Sequence, residues 1–294
     1  MLEIKLGYAC NSMCIFCIHK DKRQIKDIPI NTLKRLIDNC VKEKCEKIII
    51  TGGEPMMYPT FFDLIIYAKQ KGIKYYEIHT NGRLLSDEVL VNKLIKLKPL
   101  GFLVSLHFPN PKLYKKYCLV DGFDETIQGI KNLAKNQFNF TINTVIMKPT
   151  LPHLEKLAEL VKELKVKNWQ FIYINGQNVM NEIKTFLPRY SLAVKIIRKI
   201  IKRNPDIQIY IKGIPICIVG EEYKANLAPI YGSDRQNLLD GKELVTSPRI
   251  RESQSMYPNC INCVYLTNCV GIRIEYFQLY GPNELKPVKK LWKE

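Results

Sequence analysis

Apolar, strand-like runs alternate with amphipathic, helix-like segments six times in succession, and this alternation restricts the fold more than any other feature. The strand candidates are residues 2–6, 47–51, 73–79, 102–107, 138–147 and 169–174. They are rich in β-branched and aromatic residues, as buried parallel strands tend to be. Between them, apolar residues recur at helical spacing: Leu33, Leu36, Ile37 and Val41; Phe61, Leu64, Ile65 and Ala68; Val89, Leu90, Leu94 and Leu97; Ile127, Ile130, Leu133 and Ala134 after a candidate N-cap, Asp124; Leu154, Leu157, Leu160, Val161 and Leu164; and Leu192, Ile196, Ile197, Ile200 and Ile201. Tandem strand–helix pairs imply parallel pairing through right-handed crossovers. A full eight-fold barrel would consume most of the chain, whereas six pairs end near Arg203. The expected class is therefore α/β: a partial, open (β/α)6 TIM-like barrel over residues 1–205. Asn204-Pro205-Asp206 breaks the pattern, residues 207–211 read as a strand, and the turn- and cysteine-rich remainder reads as a small C-terminal α+β module over 206–294.

In β/α barrels the active face lies at the C-terminal ends of the strands, and the unusual residues gather there. Cys10, Cys14 and Cys17, spaced C-x3-C-x2-C, follow the first strand. Gly52-Gly53-Glu54-Pro55 follows the second, His79-Thr80-Asn81-Gly82 the third, and Ser105 and His107 the fourth. Asn143 and Thr144 lie in the fifth, and Tyr173 and Asn175 end the sixth. Iron–sulfur cubanes are normally held by four thiolates. Three on one tight loop leave an iron open, as catalytic metal sites keep a position for a small molecule. The Gly-Gly step allows backbone to approach such a molecule.

The cysteine loop followed by the glycine motif one strand later resembles the radical S-adenosylmethionine superfamily, whose C-x3-C-x-aromatic-C form is matched by Phe16 before Cys17. The resemblance implies a [4Fe-4S] cluster on Cys10, Cys14 and Cys17. It implies S-adenosylmethionine chelating the open iron, and reductive cleavage to a 5′-deoxyadenosyl radical. It further implies cofactor contacts from Phe16, Gly52, Gly53, Glu54, Pro55, Thr80, Asn81, Ser105 and Asn143. His107 is a candidate for exchanging a proton with a substrate radical, or else a strand cap. Gln170, Tyr173 and Asn175 are candidates for the substrate floor, and His79 is read as structural.

A second set, Cys260, Cys263 and Cys269, is spaced C-x2-C-x5-C, with Cys217 upstream. This looks like the core of the twitch and SPASM extensions, with Arg273 standing where the longer pattern has another cysteine. One auxiliary [4Fe-4S] cluster on Cys217, Cys260, Cys263 and Cys269 is the expectation. Structural zinc, which also accepts four thiolates, is the alternative. Cys40, Cys45 and Cys118 match no motif and read as ordinary small apolar residues.

Ten cysteines with no signal-like N-terminus point to metal ligation in a reducing cytoplasm. No apolar run approaches the length of a membrane span. A net charge of +17 fits a lysine-rich surface better than a nucleic-acid enzyme, since no compact arginine tract is present. The expected activity is hydrogen abstraction from a peptide or protein, as in maturases, or from a biosynthetic metabolite. The electron would come from a flavodoxin- or ferredoxin-type donor. A radical tRNA-modifying enzyme and a non-catalytic zinc-binding nucleic-acid module are the other readings.

Overall fold

The computed structural model describes residues 1–228, 236–239, 243–246, 254–255 and 257–291. Strands β1 (Leu2–Lys5), β2 (Lys47–Thr51), β3 (Tyr75–Thr80), β4 (Gly101–Ser105), β5 (Asn139–Ile146) and β6 (Asn168–Tyr173) fall where the alternation placed them. The crossovers carry helices α1 (Ile30–Lys42), α2 (Phe61–Gln70), α3 (Glu88–Ile95), α4 (Pro111–Cys118), α5 (Phe123–Lys135), α6 (Leu154–Glu163), α7 (Ile183–Phe186) and α8 (Tyr190–Arg203). Strand β7 (Gln208–Lys212), read from the sequence as part of the following module, instead pairs in parallel with β6 and continues the α/β series to seven strands. Then come the short α9 (Ile216–Val219), the hairpin β8 (Gln236–Leu239) and β9 (Glu243–Thr246), the antiparallel pair β10 (Gln254–Ser255) and β11 (Ile272–Arg273), and α10 (Ile274–Tyr280). The sheet order is β7-β6-β5-β4-β3-β2-β1-β8-β9.

The chain divides into two compact units, one of residues 1–106, 110–142 and 233–247, the other of residues 107–109, 143–232 and 248–294. In the first, Leu2 and Ile4 of β1 and Ile48–Ile50 of β2 are buried, and Leu33, Leu36 and Ile37 of α1 and Phe61, Leu64, Ile65 and Ala68 of α2 supply the covering layer. Helix α3 turns the expected Leu94 inward but not Val89. Asp87 caps it through Val89 N–H, which sets Val91 and Leu94 inward and leaves Val89 64% exposed. Gly122, not Asp124, is the N-cap of α5.

In the second unit, Trp169, Phe171 and Tyr173 of β6 are buried. Tyr190 of α8 stacks on Tyr276 of α10 at 4.0 Å between ring centroids, and Tyr173 lies 4.4 Å from Tyr190. This aromatic core absorbs Tyr173, whose hydroxyl donates to the Pro188 carbonyl. Tyr173 is packing here, not an open substrate floor.

Cys40 and Cys45 are joined in a disulfide with Cα atoms 5.1 Å apart, which corrects their reading as ordinary apolar residues. The five-residue separation at the end of α1 brings the two together. Among the described residues no helix is long and apolar enough to cross a membrane.

Candidate active site

Parallel register places the C-terminal ends of β1, β2 and β3 side by side, with Lys5 opposite Thr51 and Ile50 opposite Ile78. The segments leaving these three ends build one network. Gly53 N–H donates to the Gly7 carbonyl at 2.9 Å and Glu54 N–H to the Ala9 carbonyl at 2.8 Å, tying the turn after β2 to the chain entering the cysteine loop. A Cβ on Gly52 would collide with the Gly7 carbonyl, and one on Gly53 with the Ala9 carbonyl. Gly52 also sits at φ +137°, where a side chain is strained. The two glycines are thus spent on this backbone-to-backbone approach.

Glu54 is buried, and its carboxylate is held from three sides. Thr80 Oγ1 donates to it at 2.9 Å, Asn81 N–H at 2.9 Å and Met56 N–H at 3.3 Å. Burial still pushes this carboxyl up to about 7, against the opposing hydrogen bonds. Pro55 begins the short turn that Glu54 caps. Thr80 is itself buried, and its oxygen accepts from Gly82 N–H at 2.9 Å.

Asn81 reaches into the cysteine loop. Its Nδ2 donates to Asn11 Oδ1 at 2.6 Å and lies 3.7 Å from Cys10 Sγ, while its Oδ1 accepts from Arg83 N–H at 3.0 Å. Arg83 also donates to the Asn11 carbonyl and pairs with Glu125. Asn11 and Arg83 were not singled out from sequence, because neither belongs to a spacing pattern.

The loop is shaped so that amides point at sulfur. Ser12 N–H lies 3.4 Å from Cys10 Sγ and His19 N–H 3.3 Å from Cys17 Sγ. Cys17 N–H donates to the Cys14 carbonyl at 3.2 Å, closing the turn. Burial pushes the Cys10 thiol up to about 11 and raises Cys17. A hydrogen bond from Cys118 instead lowers Cys14. Thiolate ligation must displace such protons. Phe16, within the loop, is buried, and Ser105 ends β4 half-buried.

In the other unit, His107 Nδ1 accepts from Val145 N–H of β5 at 3.2 Å, and burial holds the imidazole down at about 4, neutral in ordinary conditions. Asn143 Oδ1 accepts from Gln170 Nε2 at 2.9 Å, so these two candidates hold each other. Asn175 is half-buried.

The same unit carries the second cysteine set. Cys217, Cys260, Cys263 and Cys269 all line one pocket, walled by Ile216, Tyr265, Pro287 and Val288. Gly271 N–H lies 3.4 Å from Cys269 Sγ and Val288 N–H 3.4 Å from Cys263 Sγ. Burial pushes Cys217 up to about 11, with the other three thiols adding to the rise. Among the described residues no three His, Cys, Asp or Glu side chains converge as around a single metal ion. The lining by Leu285, Pro287 and Val288 was not anticipated, since nothing in a lysine-rich, proline-containing tail marks it as a pocket wall.

The Radical SAM superfamily model matches residues 4–161. The chain is 30% identical over 167 residues to an AdoMet-dependent heme synthase of Methanosarcina barkeri, covering 56% of this chain and 47% of that protein. It is thus similar to about half the length of that relative. It is 26% identical over 302 aligned positions to a probable GTP 3',8-cyclase of Saccharolobus islandicus, covering 87% of this chain and 96% of the relative. Its fold is similar to Streptococcus suis SuiB bound to S-adenosylmethionine, with a TM-score of 0.72 at 16% identity over 97% of this chain and 75% of that one. It is also similar to SuiB bound to the precursor peptide SuiA, with a TM-score of 0.70 at 17% identity over 100% and 74%. The seven parallel strands are consistent with a partial TIM-like barrel, and the family match, with S-adenosylmethionine bound in such a neighbour, supports a [4Fe-4S] cluster and S-adenosylmethionine as its cofactors. The chain belongs to the radical SAM superfamily and is an enzyme of that class.

Proposed function

We propose that the enzyme abstracts hydrogen from a peptide or protein substrate, with Cys10, Cys14 and Cys17 holding a [4Fe-4S] cluster and Cys217, Cys260, Cys263 and Cys269 holding an auxiliary one. The cluster with S-adenosylmethionine supplies, when bound, one-electron chemistry able to attack an unactivated C–H bond; the protein's part is binding, orientation and water exclusion. The α/β series, β7 included, acts as the core, and the cysteine-rich remainder as a twitch-like extension.

The observation that carries this reading is the three-thiol loop with amides aimed at its sulfurs, clasped to the Glu54 network. Hydrogen bonds to ligand sulfurs are among the means by which proteins set cluster potential. Asn81 braces the Cys10 side of the loop. Glu54 fixes the turn whose Gly52 and Gly53 carbonyls, with Pro55, line the cofactor's amino-acid end. The resemblance assigns Phe16 and Ser105 to its nucleoside. Thr80 donates to Glu54 and braces the same turn. The four-cysteine cavity, with Gly271 and Val288 amides directed at sulfur, fits an auxiliary cluster by its donor set. The peptide substrate is supported by the likeness to SuiB in its SuiA complex. The electron is assigned to a flavodoxin- or ferredoxin-type donor.

Anaerobic preparation is expected to give brown protein with about eight irons per chain, two cubanes' worth, forming 5′-deoxyadenosine when S-adenosylmethionine and reductant are added. Cys14→Ala abolishes that product; retained cleavage, or colourless zinc protein, refutes the proposal. The near full-length similarity to probable GTP 3',8-cyclases favours a second reading, a nucleotide substrate. Turnover of GTP, with no stimulation by peptides, would select it.

A further inference from the structure

Cys118 has no place in either cysteine pattern, yet the fold delivers it to the cluster loop. It is the last residue of α4 and 2% exposed. The helix end is clasped to the loop by two backbone hydrogen bonds, Met13 N–H to the Cys118 carbonyl at 2.9 Å and Ile15 N–H to the Tyr117 carbonyl at 3.1 Å. These bracket Cys14 on both sides. Leu119, in the left-handed region at φ 53°, ends the helix there, its N–H donating to the Lys115 carbonyl at 3.0 Å. Tyr114, one turn earlier and 3% exposed, is held through its hydroxyl 3.2 Å from Thr126 Oγ1. This clasp brings the Cys118 thiol against that of Cys14, and the two are hydrogen-bonded to each other.

We propose that Cys118 is a positioning residue whose S–H donates a hydrogen bond to the Cys14 sulfur and thereby raises the reduction potential of the cluster that Cys14 helps to hold. One-electron reduction adds negative charge that ligand sulfurs share. A donor fixed on one of them stabilises that charge more in the reduced state than in the oxidised state. The site is buried, so water cannot supply a substitute donor at no cost. Cys10 and Cys17 receive amide hydrogens from Ser12 and His19, and Cys118 gives Cys14 the corresponding donor from a separate helix.

The inference rests on Cys14 being an iron ligand, and the test keeps the two apart. Wild type, Cys118→Ser and Cys118→Ala are reconstituted anaerobically. The midpoint potential is then measured by EPR-monitored titration without S-adenosylmethionine. The relevant cluster is identified in parallel samples as the one whose signal changes when S-adenosylmethionine is added. Cys118→Ala is expected to move to a more negative potential, and Cys118→Ser, which keeps an O–H donor, to stay near wild type. Cys118→Val replaces Ala if the small side chain impairs loading. A purely structural role would lower the melting temperature of these variants without separating their potentials. Equal midpoints overturn the inference while leaving the cluster assignment standing. Absence of any signal responsive to S-adenosylmethionine in wild type overturns the assignment beneath it.

Discussion

Thr80 Oγ1 lies 2.9 Å from both oxygens of the Glu54 carboxylate, joining the end of β3 to the turn after β2. The threonine is buried and Glu54 is 2% exposed, so this pair organises the site from within. Burial outweighs the donated hydrogen bonds and leaves the carboxyl titrating at about 7 instead of near 4.5. A carboxyl raised on folding adds stability below its unfolded value and loses that contribution as pH climbs through its folded value. In cluster-free protein, stability should therefore fall by about 3 kcal/mol between pH 4.5 and 7 on account of Glu54. Glu54→Gln removes this dependence. Urea unfolding of both proteins across the window reads the difference in slope, and parallel curves would contradict the burial argument.

Gly53→Ala tests the close approach of two backbones. The added methyl meets the Ala9 carbonyl oxygen and lies 2.6 Å from the Tyr8 carbonyl oxygen, and neither can move without shifting the chain entering the cysteine loop. The expected cost is about 1–3 kcal/mol of stability, accompanied by loss of iron from the N-terminal site. Gly72→Ala, where an added Cβ meets nothing within 4 Å although φ is +89°, serves as the comparison. It should lower stability but keep its iron. Iron content and melting temperature measured together separate the two outcomes.

How much was legible follows from what each feature depends on. The strands were found because buried parallel strands need β-branched runs whatever their neighbours, and the cysteine loop because its geometry is encoded within eight residues, Cys10 to Cys17. The faces of α1, α2 and α6 were read well, those of α3 and α8 less so. The inward face of α8 is Tyr190, Ala193, Val194, Ile197 and Ile200, while the expected Leu192 is 49% exposed, because aliphatic residues are plentiful around that helix and an aromatic fills the first turn. Roles that depend on strand register were not legible. That Thr80 donates to Glu54, 26 residues earlier, was not foreseen. Cys118 was passed over because only the clasp of α4 on the loop brings it to Cys14.

His107 carries the opposite pH signature from Glu54. The Val145 amide occupies Nδ1, and burial depresses the imidazole to about 4 from 6.5. A histidine depressed on folding contributes stability present above its unfolded value and lost as pH falls through its folded value. That contribution amounts to about 3 kcal/mol between pH 6.5 and 4. His107→Gln, whose amide oxygen can accept from the Val145 N–H, should flatten the acid limb of the stability profile while 5′-deoxyadenosine formation continues. Loss of that product at unchanged stability would assign His107 to proton transfer instead.

The Cys40–Cys45 disulfide closes a short loop between the end of α1 and the turn into β2. Constraining a loop of this length in the unfolded chain is worth about 2 kcal/mol. Cys40 is 1% exposed, so a serine there would add the cost of burying a hydroxyl. Cys45→Ser, at the half-buried end, is therefore the cleaner variant. It should melt below wild type under oxidising conditions and coincide with it once wild type is reduced. Since the disulfide lies outside both cysteine sets, reduction should leave iron content unchanged. If reductant strips iron or leaves the melting temperature where it was, the bond has a role other than closing this loop.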